Sequence, residues 1–266
     1  MALSTQDGVL GGAQWPRFLA KAITPTMVIG KPQSLWSLAG TPGAGTFDTT
    51  LAGVALTSNA GQIPWTNPGA GNSYLARFQG LSSLAGGTLL LVDRLWHNGG
   101  FTITTTTGQT VTSAAFPARD VDASINGKGV MIGLEVSAAC GAAAPAPTLT
   151  YTNEAGTGSR TAGLWFPTAN SPVIGSFFPF ALQAGDLGVK SIQTLALNTS
   201  WVSGTVNLVA YRVIAALDLV AGFPNSIDAL SSGFPRIFDN SVLQLIFIPG
   251  VTTATVITGS VVWSQG

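Results

Sequence analysis

Glycine and proline interrupt this chain so often that long helices are excluded before any other feature is considered. There are 33 glycines and 15 prolines in 266 residues, and they occur from end to end. Proline removes a backbone donor and clashes within a helix, so no helical period survives for more than a turn or two. The runs left between the breaks are rich in Thr, Val, Ile and Leu, which suit a pleated surface. The run GVMIGLEVSAA at 129–139 reads as a strand. In TLTYTNEAGTGSRTAGLW at 148–165, two extended runs are joined by a turn at NEAGTG. GVKSIQTLALNTS at 188–200 carries the apolar set Val189, Ile192, Leu195 and Leu197. WVSGTVNLVAYRVIAAL, SVLQLIFIPG and TTATVITGSVVW complete the strands, and FTITTTTGQTVTSAAF at 101–116 reads as a hairpin broken at Gly108. Short strands separated by Gly/Pro turns predict an all-β fold, an antiparallel β-sandwich of jelly-roll-like form.

Residues 1–46 read differently from the rest. Pro16, Pro25, Pro32 and Pro42 divide them. A helical turn fits at 16–22, with Pro16 in the first-turn position, and the remainder is extended. The spacing of Trp15, Phe18, Ile29 and Trp36 predicts an extended N-terminal arm (1–46). Trp15, Phe18 and Trp36 would anchor it on a neighbouring subunit or a shell; the alternative is that the arm folds back along its own sandwich. Residues 47–266 form the sandwich domain. The segment at 223–238, FPNSIDALSSGFPRIF, is expected as an inserted loop with a helical turn near 226–230.

Composition narrows the function. Only 8% of residues are charged, against about 25% in average soluble domains, while 46% are hydrophobic and the net charge is zero. A surface this poor in charge favours association, which predicts a homo-oligomer, with a trimer as the expected state. There is no basic patch for nucleic-acid phosphates, so no direct nucleic-acid partner is expected. The apolar run LVAYRVIAALDLVAG at 208–222 carries Arg212 and Asp218, so no membrane span is expected. The N-terminus lacks a basic region followed by an apolar one and is not read as a secretory signal. The single Cys140 allows no internal disulfide and suits a reducing cytoplasm.

Catalytic and metal chemistry find little support. The two glutamates, Glu135 and Glu154, lie in a strand and a turn with no evident carboxylate partner for glycoside hydrolysis. One His and one Cys make a zinc site improbable. Asp120, Asp122, Ser124 and Asn126 echo a calcium loop, but Gly127 falls too late and Met131 stands where a bidentate Glu belongs, so a polar turn is expected. Ser159 lacks a nucleophile-elbow frame. LLLVDRLWHNGG at 89–100 places Asp93, Arg94, Trp96 and the only histidine, His97, within five residues. The expected reading is a strand end whose polar groups are satisfied by each other, by backbone or by a neighbouring chain. No catalytic residue, cofactor site or metal site is assigned. The chain is read as a non-enzyme.

The segments IPWTNPGAGNSYLARFQG, LLLVDRLWHNGG, YTNEAGTGSRTAG and GDLGVKSIQTLALNTS, within 63–217, together resemble structural virion proteins of tailed bacteriophages. The resemblance implies a virion component made in the host bacterial cytoplasm. It carries no catalytic motif with it. Low charge, the arm and the sandwich suit a head cement or decoration protein that stabilises the capsid lattice. The expected contacts are with itself and with the major capsid protein or other virion proteins. The alternative is a tail or fibre-associated protein binding host carbohydrate or a receptor, with Trp65, Tyr74 and Trp96 available to stack on sugars. The interface candidates are Trp15, Phe18, Trp36, Trp65, Trp96 and His97.

Overall fold

A computed structural model describes residues 3, 5–112, 114–168 and 171–266. Strands occupy 46% of the chain and helix 4%, where globular proteins average about a third helix. The expected all-β antiparallel sandwich is therefore met. In chain order the first elements are α1 (Gln6–Gly11), β1 (Arg17–Ile23), β2 (Gln33–Ser34), β3 (Gly40–Thr41) and β4 (Val54–Ala55). Next come β5 (Ser73–Ser82), β6 (Gly87–Phe101), β7 (Gln109–Thr110), β8 (Val130–Ala138), β9 (Thr148–Asn153) and β10 (Arg160–Leu164). They are followed by β11 (Phe177–Ala181), β12 (Val189–Ala196), β13 (Thr205–Leu219), β14 (Asn225–Asp228) and α2 (Ala229–Ser232). The last are β15 (Arg236–Ile237), β16 (Leu243–Pro249) and β17 (Thr255–Gln265).

The chain forms two compact units that do not follow sequence order. Unit 1 comprises 1–46, 57–93 and 213–266, and unit 2 comprises 47–56 and 94–212. This differs from the expected split into a 1–46 arm and a 47–266 domain. The physical reason is that residues 17–23 belong to a sheet. All seven residues of β1 pair with β17, and Ala20 and Lys21 pair also with β3. Within 1–46, the strand β1 is satisfied within its own chain. The helical turn expected at 16–22 is this strand, and the helix lies earlier, at α1, capped by the Thr5 hydroxyl, which accepts from the Gly8 amide.

In unit 1 the sheet order is β14–β5–β17–β1–β3, with β15 also on β5. Leu19, Ile23, Phe78, Ile257, Val261 and Trp263 fill its inner side. They pack with Leu89, Leu91, Leu217, Leu243 and Phe247 from β6, β13 and β16. Lys21 also points inward. Its ammonium donates to the Leu38 and Pro42 carbonyls at 2.8 and 2.7 Å, and burial pulls its pKa down to about 8. The 223–238 segment is not a plain loop. It contributes β14 and β15 to the edge of β5, and its helical turn, α2, starts three residues later than expected, at Ala229.

Thr255, at the start of β17, organises the tight connection from β5 to β6. Its Oγ1 lies 2.8 Å from Ser82 Oγ and accepts from the Leu84 and Ala85 amides at 3.0 and 3.3 Å. Thr255→Val keeps the shape and removes these bonds. It should lower unfolding free energy by about 1–3 kcal/mol, because the buried Ala85 amide and Ser82 hydroxyl lose their partner. Urea denaturation reads the loss, and an unchanged midpoint would contradict this role.

In unit 2 the order is β13–β8–β11–β10–β9–β12–β7, with β4 on β6. Val130, Ile132 and Leu134 of β8 face Leu149, Tyr151, Ile192 and Leu195 in one core. Gly133 must lack a side chain, since a Cβ there would lie 2.1 Å from the Phe177 ring. The apolar set of β12 breaks strict alternation, yet Val189, Ile192 and Leu195 are all buried. Register shifts between 189 and 191 and between 192 and 194 turn each of them to the same face. Among the described residues of 101–116 the expected hairpin is not seen: Phe101 ends β6, and Gln109 and Thr110 pair with β12.

Candidate functional site

The Asp-Arg-x-Trp-His stretch lies in β6, and alternation separates its members. Asp93 serves unit 1, where Oδ1 accepts from the Val242 amide and Oδ2 from the Ser241 hydroxyl, both at 2.8 Å. Arg94 serves unit 2, where Nη1 donates to Glu135 Oε2 at 2.8 Å. Neighbours along a strand point to opposite faces, which gives Asp93 and Arg94 these different partners. His97 is 8% exposed. Its Nδ1 lies 3.4 Å from Arg94 Nη2 and its Nε2 lies 3.7 Å from Asp48 Oδ2. Burial, and then the Arg94 charge, push its pKa down to about 4, against weaker opposing pulls from Asp48 and Glu135. At neutral pH this is an uncharged imidazole inside a core, positioned by β4 and by 47–56, whose Thr50 carbonyl accepts from the Gly99 amide. Such an arrangement holds chain segments together.

The carboxylates of Asp120 and Asp186 are likewise engaged in structure. Asp120 accepts from the amides of Asp122, Ser124, Gly127 and Lys128 and from the Ser124 hydroxyl, so the expected polar turn is built on one carboxylate. The turn closes at Gly127, where φ is +86° and a Cβ would meet the Val189 carbonyl at 1.9 Å. Asp186 accepts two bonds from Arg160 and one each from Asn153 and Tyr151. The Arg160 bonds above all bring its pKa down to about 2. Burial pushes the Cys140 thiol up to about 12, which suits an inert thiol. Among the described residues, no group of three or more His, Cys, Asp or Glu side chains is placed to hold a metal ion. No helix among them is long and apolar enough to cross a membrane.

The surface feature that stands out is the outer face of the six-stranded sheet in unit 1. Directly opposed residues share a face. The pairs Phe18↔Ser260, Ala20↔Thr258, Ala22↔Val256, Thr258↔Leu81, Ser260↔Gln79 and Val262↔Arg77 lie outward, and Leu19, Lys21, Ile257 and Val261 lie inward. Of these outward positions on β1, β17 and β5, Arg77 alone carries a charge. A solvated antiparallel face normally alternates to polar and charged residues. Here Phe18 is 69% exposed; Trp15, two residues before β1, is 84% exposed and Leu230, on α2, 93%. A groove of about 780 Å³, lined by Val9, Leu10, Ala76, Leu230, Phe234 and Val262 among others, runs over this face. A second groove of about 370 Å³ shares Pro16 and Arg77 with it and reaches Phe18 and Thr258.

The interface candidates from sequence divide accordingly. Trp15 and Phe18 lie on this surface. Trp36 and Trp96, at 1% and 0% exposure, belong to the interiors of units 1 and 2 and are not available to a partner. Trp36 approaches Gly45 so closely that a Cβ there would touch its ring, and Trp96 packs on Phe116. Trp65 is half-buried edge-on against Trp263, with ring centres 5.4 Å apart. His97 is the buried imidazole described above. Leu10, Leu230 and Val256 were missed. The only signal for them was that apolar residues stood where an exposed helix or strand position calls for a polar one.

No family model matches the sequence, and no curated protein matches it. Low-level structural similarity is found to infectious bursal disease virus proteins. The crystal structure of its VP2 subviral particle is 9% identical, with 100% of this chain and 83% of that chain covered and a TM-score of 0.21. The structure of the Gx strain is 10% identical, with 95% and 81% covered and a TM-score of 0.20. That of the Gt strain is 8% identical, with 94% and 81% covered and a TM-score of 0.16.

Proposed function

We propose that the chain is a structural subunit of a virus particle and not an enzyme. Within that class it acts as a head cement or decoration protein of a tailed bacteriophage, made in the bacterial cytoplasm and assembled as a homotrimer. It holds the capsid lattice through contacts with the major capsid protein or other virion proteins. The observation that carries this reading is the outer sheet face of unit 1, which has one charge across three strands and four large apolar side chains at its rim. Interface centres are depleted of charge in this way, and surfaces that stay in water are not. The carbohydrate-binding alternative relied on Trp65, Tyr74 and Trp96 as stacking platforms. Trp96 is buried, Trp65 packs on Trp263, and Tyr74 is already stacked on Phe234 with centres 4.8 Å apart.

Electron microscopy of phage particles labelled with antibodies to this protein tests the assignment. Label over the head shell is expected. Label confined to the tail tip would replace the cement role with the receptor-binding one, and particles without label would remove the virion role altogether.

A further inference from the structure

We infer that the outer face of the β5–β17–β1 sheet, with its groove, is where a second copy of this chain docks. This rests on the reading of the protein as an assembling subunit and names the surface that assembles.

The first support is area. Trp15, Phe18, Leu10 and Leu230 are all more than two-thirds exposed. At 150–250 Å² for a large aromatic and somewhat less for a leucine, Trp15 and Phe18 with the two leucines present on the order of 600 Å² of apolar surface. A stable interface takes about 800 Å² from each partner, so these four with the groove floor nearly complete one side. The second support is shape. The same surface carries both prominent side chains and a groove of about 780 Å³. A surface holding knob and socket together can pair with a copy of itself, whether by two-fold contact or in a closed ring. The third support is charge. Arg77 faces outward directly opposite Asp228 on β14, so this opposed pair carries one charge of each sign. A strongly acidic or basic partner would find no complement there. The chain itself, with net charge zero, meets no repulsion.

Sedimentation equilibrium of the purified full chain tests this, with Phe18→Glu and Leu230→Glu on the face and Val121→Glu as a control on an exposed apolar residue of unit 2. All three positions are exposed, and circular dichroism with thermal unfolding verifies that each variant folds. Trp15→Ser serves as a further face variant. The wild type and Val121→Glu are expected to self-associate at micromolar concentration, and the face variants at least 100-fold more weakly. A monomeric wild type at about 100 µM overturns the inference, as do face variants that associate like the wild type. If the wild type is monomeric but Phe18→Glu is lost from particles, the occupant is a different virion protein. If Phe18-dependent association holds while particles carry no label, the docking surface stands and the virion role falls.

Discussion

Glu135→Leu should destabilise the protein by about 3–5 kcal/mol, and adding Arg94→Met should recover much of that loss. Glu135 and Arg94 are both fully buried and meet at 2.8 Å. Taking two charges out of water is expensive, and their mutual attraction offsets the expense only while both are present. Removing the carboxylate takes from the buried guanidinium the charged partner it meets at 2.8 Å, and its neighbour His97 is uncharged. Removing both leaves an apolar contact of similar volume, which costs far less. The guanidinium of Arg119 donates to the Arg94 and Leu56 carbonyls and stays in place in either variant, so the backbone of this region keeps its second support. Chemical denaturation of the wild type, both single variants and the double variant gives the coupling directly. If the double variant is as unstable as the sum of the singles, the pair is not energetically linked.

This pair also shows where sequence reasoning reaches and where it stops. That 89–92 would be a buried strand is legible from four consecutive apolar residues. That Arg94 would find Glu135, 41 positions away, is not, because it depends on which strands share a core. Strands β8, β9, β10, β13, β16 and β17 were legible because their apolar runs are bounded by turn residues. β1 was misread because RFLAKAI follows a proline and holds a lysine, which looks like a short amphipathic helix. The lysine in fact points inward to carbonyls that only the folded chain supplies. The same limit applies to the tryptophans. Composition says that large aromatics will be buried somewhere, but the choice between own core and partner surface is made by neighbours such as Gly45 and Gly53, which leave room for Trp36 and Trp96. Low charge was legible as a total of 8%. Its concentration on one sheet face became visible only through the pairing of β1, β17 and β5.

Acid should destabilise the protein through its one histidine, and earlier than through its carboxylates. His97 has a pKa of about 4 in the folded chain, lowered chiefly by burial and then by Arg94, against 6.5 for an exposed histidine. Between these values the unfolded chain takes up a proton that the folded chain refuses. Stability is therefore full above about pH 6.5 and falls as the pH drops toward 4, by about 3 kcal/mol in all. Asp186 and Asp120 act in the same direction but lower on the scale: their folded pKa values are lowered, so their contribution is full above the ordinary carboxylate range and is lost as the pH falls through it. The window from 6.5 to about 4.5 thus belongs mainly to His97. The groups facing it are Arg94 on the same strand, Asp48 on the 47–56 segment and Glu135 on β8, and Asp48 is the one whose charge would hold a protonated ring. His97→Gln fills nearly the same space without a titrating ring. Its stability should be close to flat from pH 7 to 4.5, where the wild type loses more than half of the 3 kcal/mol. Parallel stability curves for the two proteins across that window would show that the imidazole reaches water and that the core of unit 2 is not closed around it.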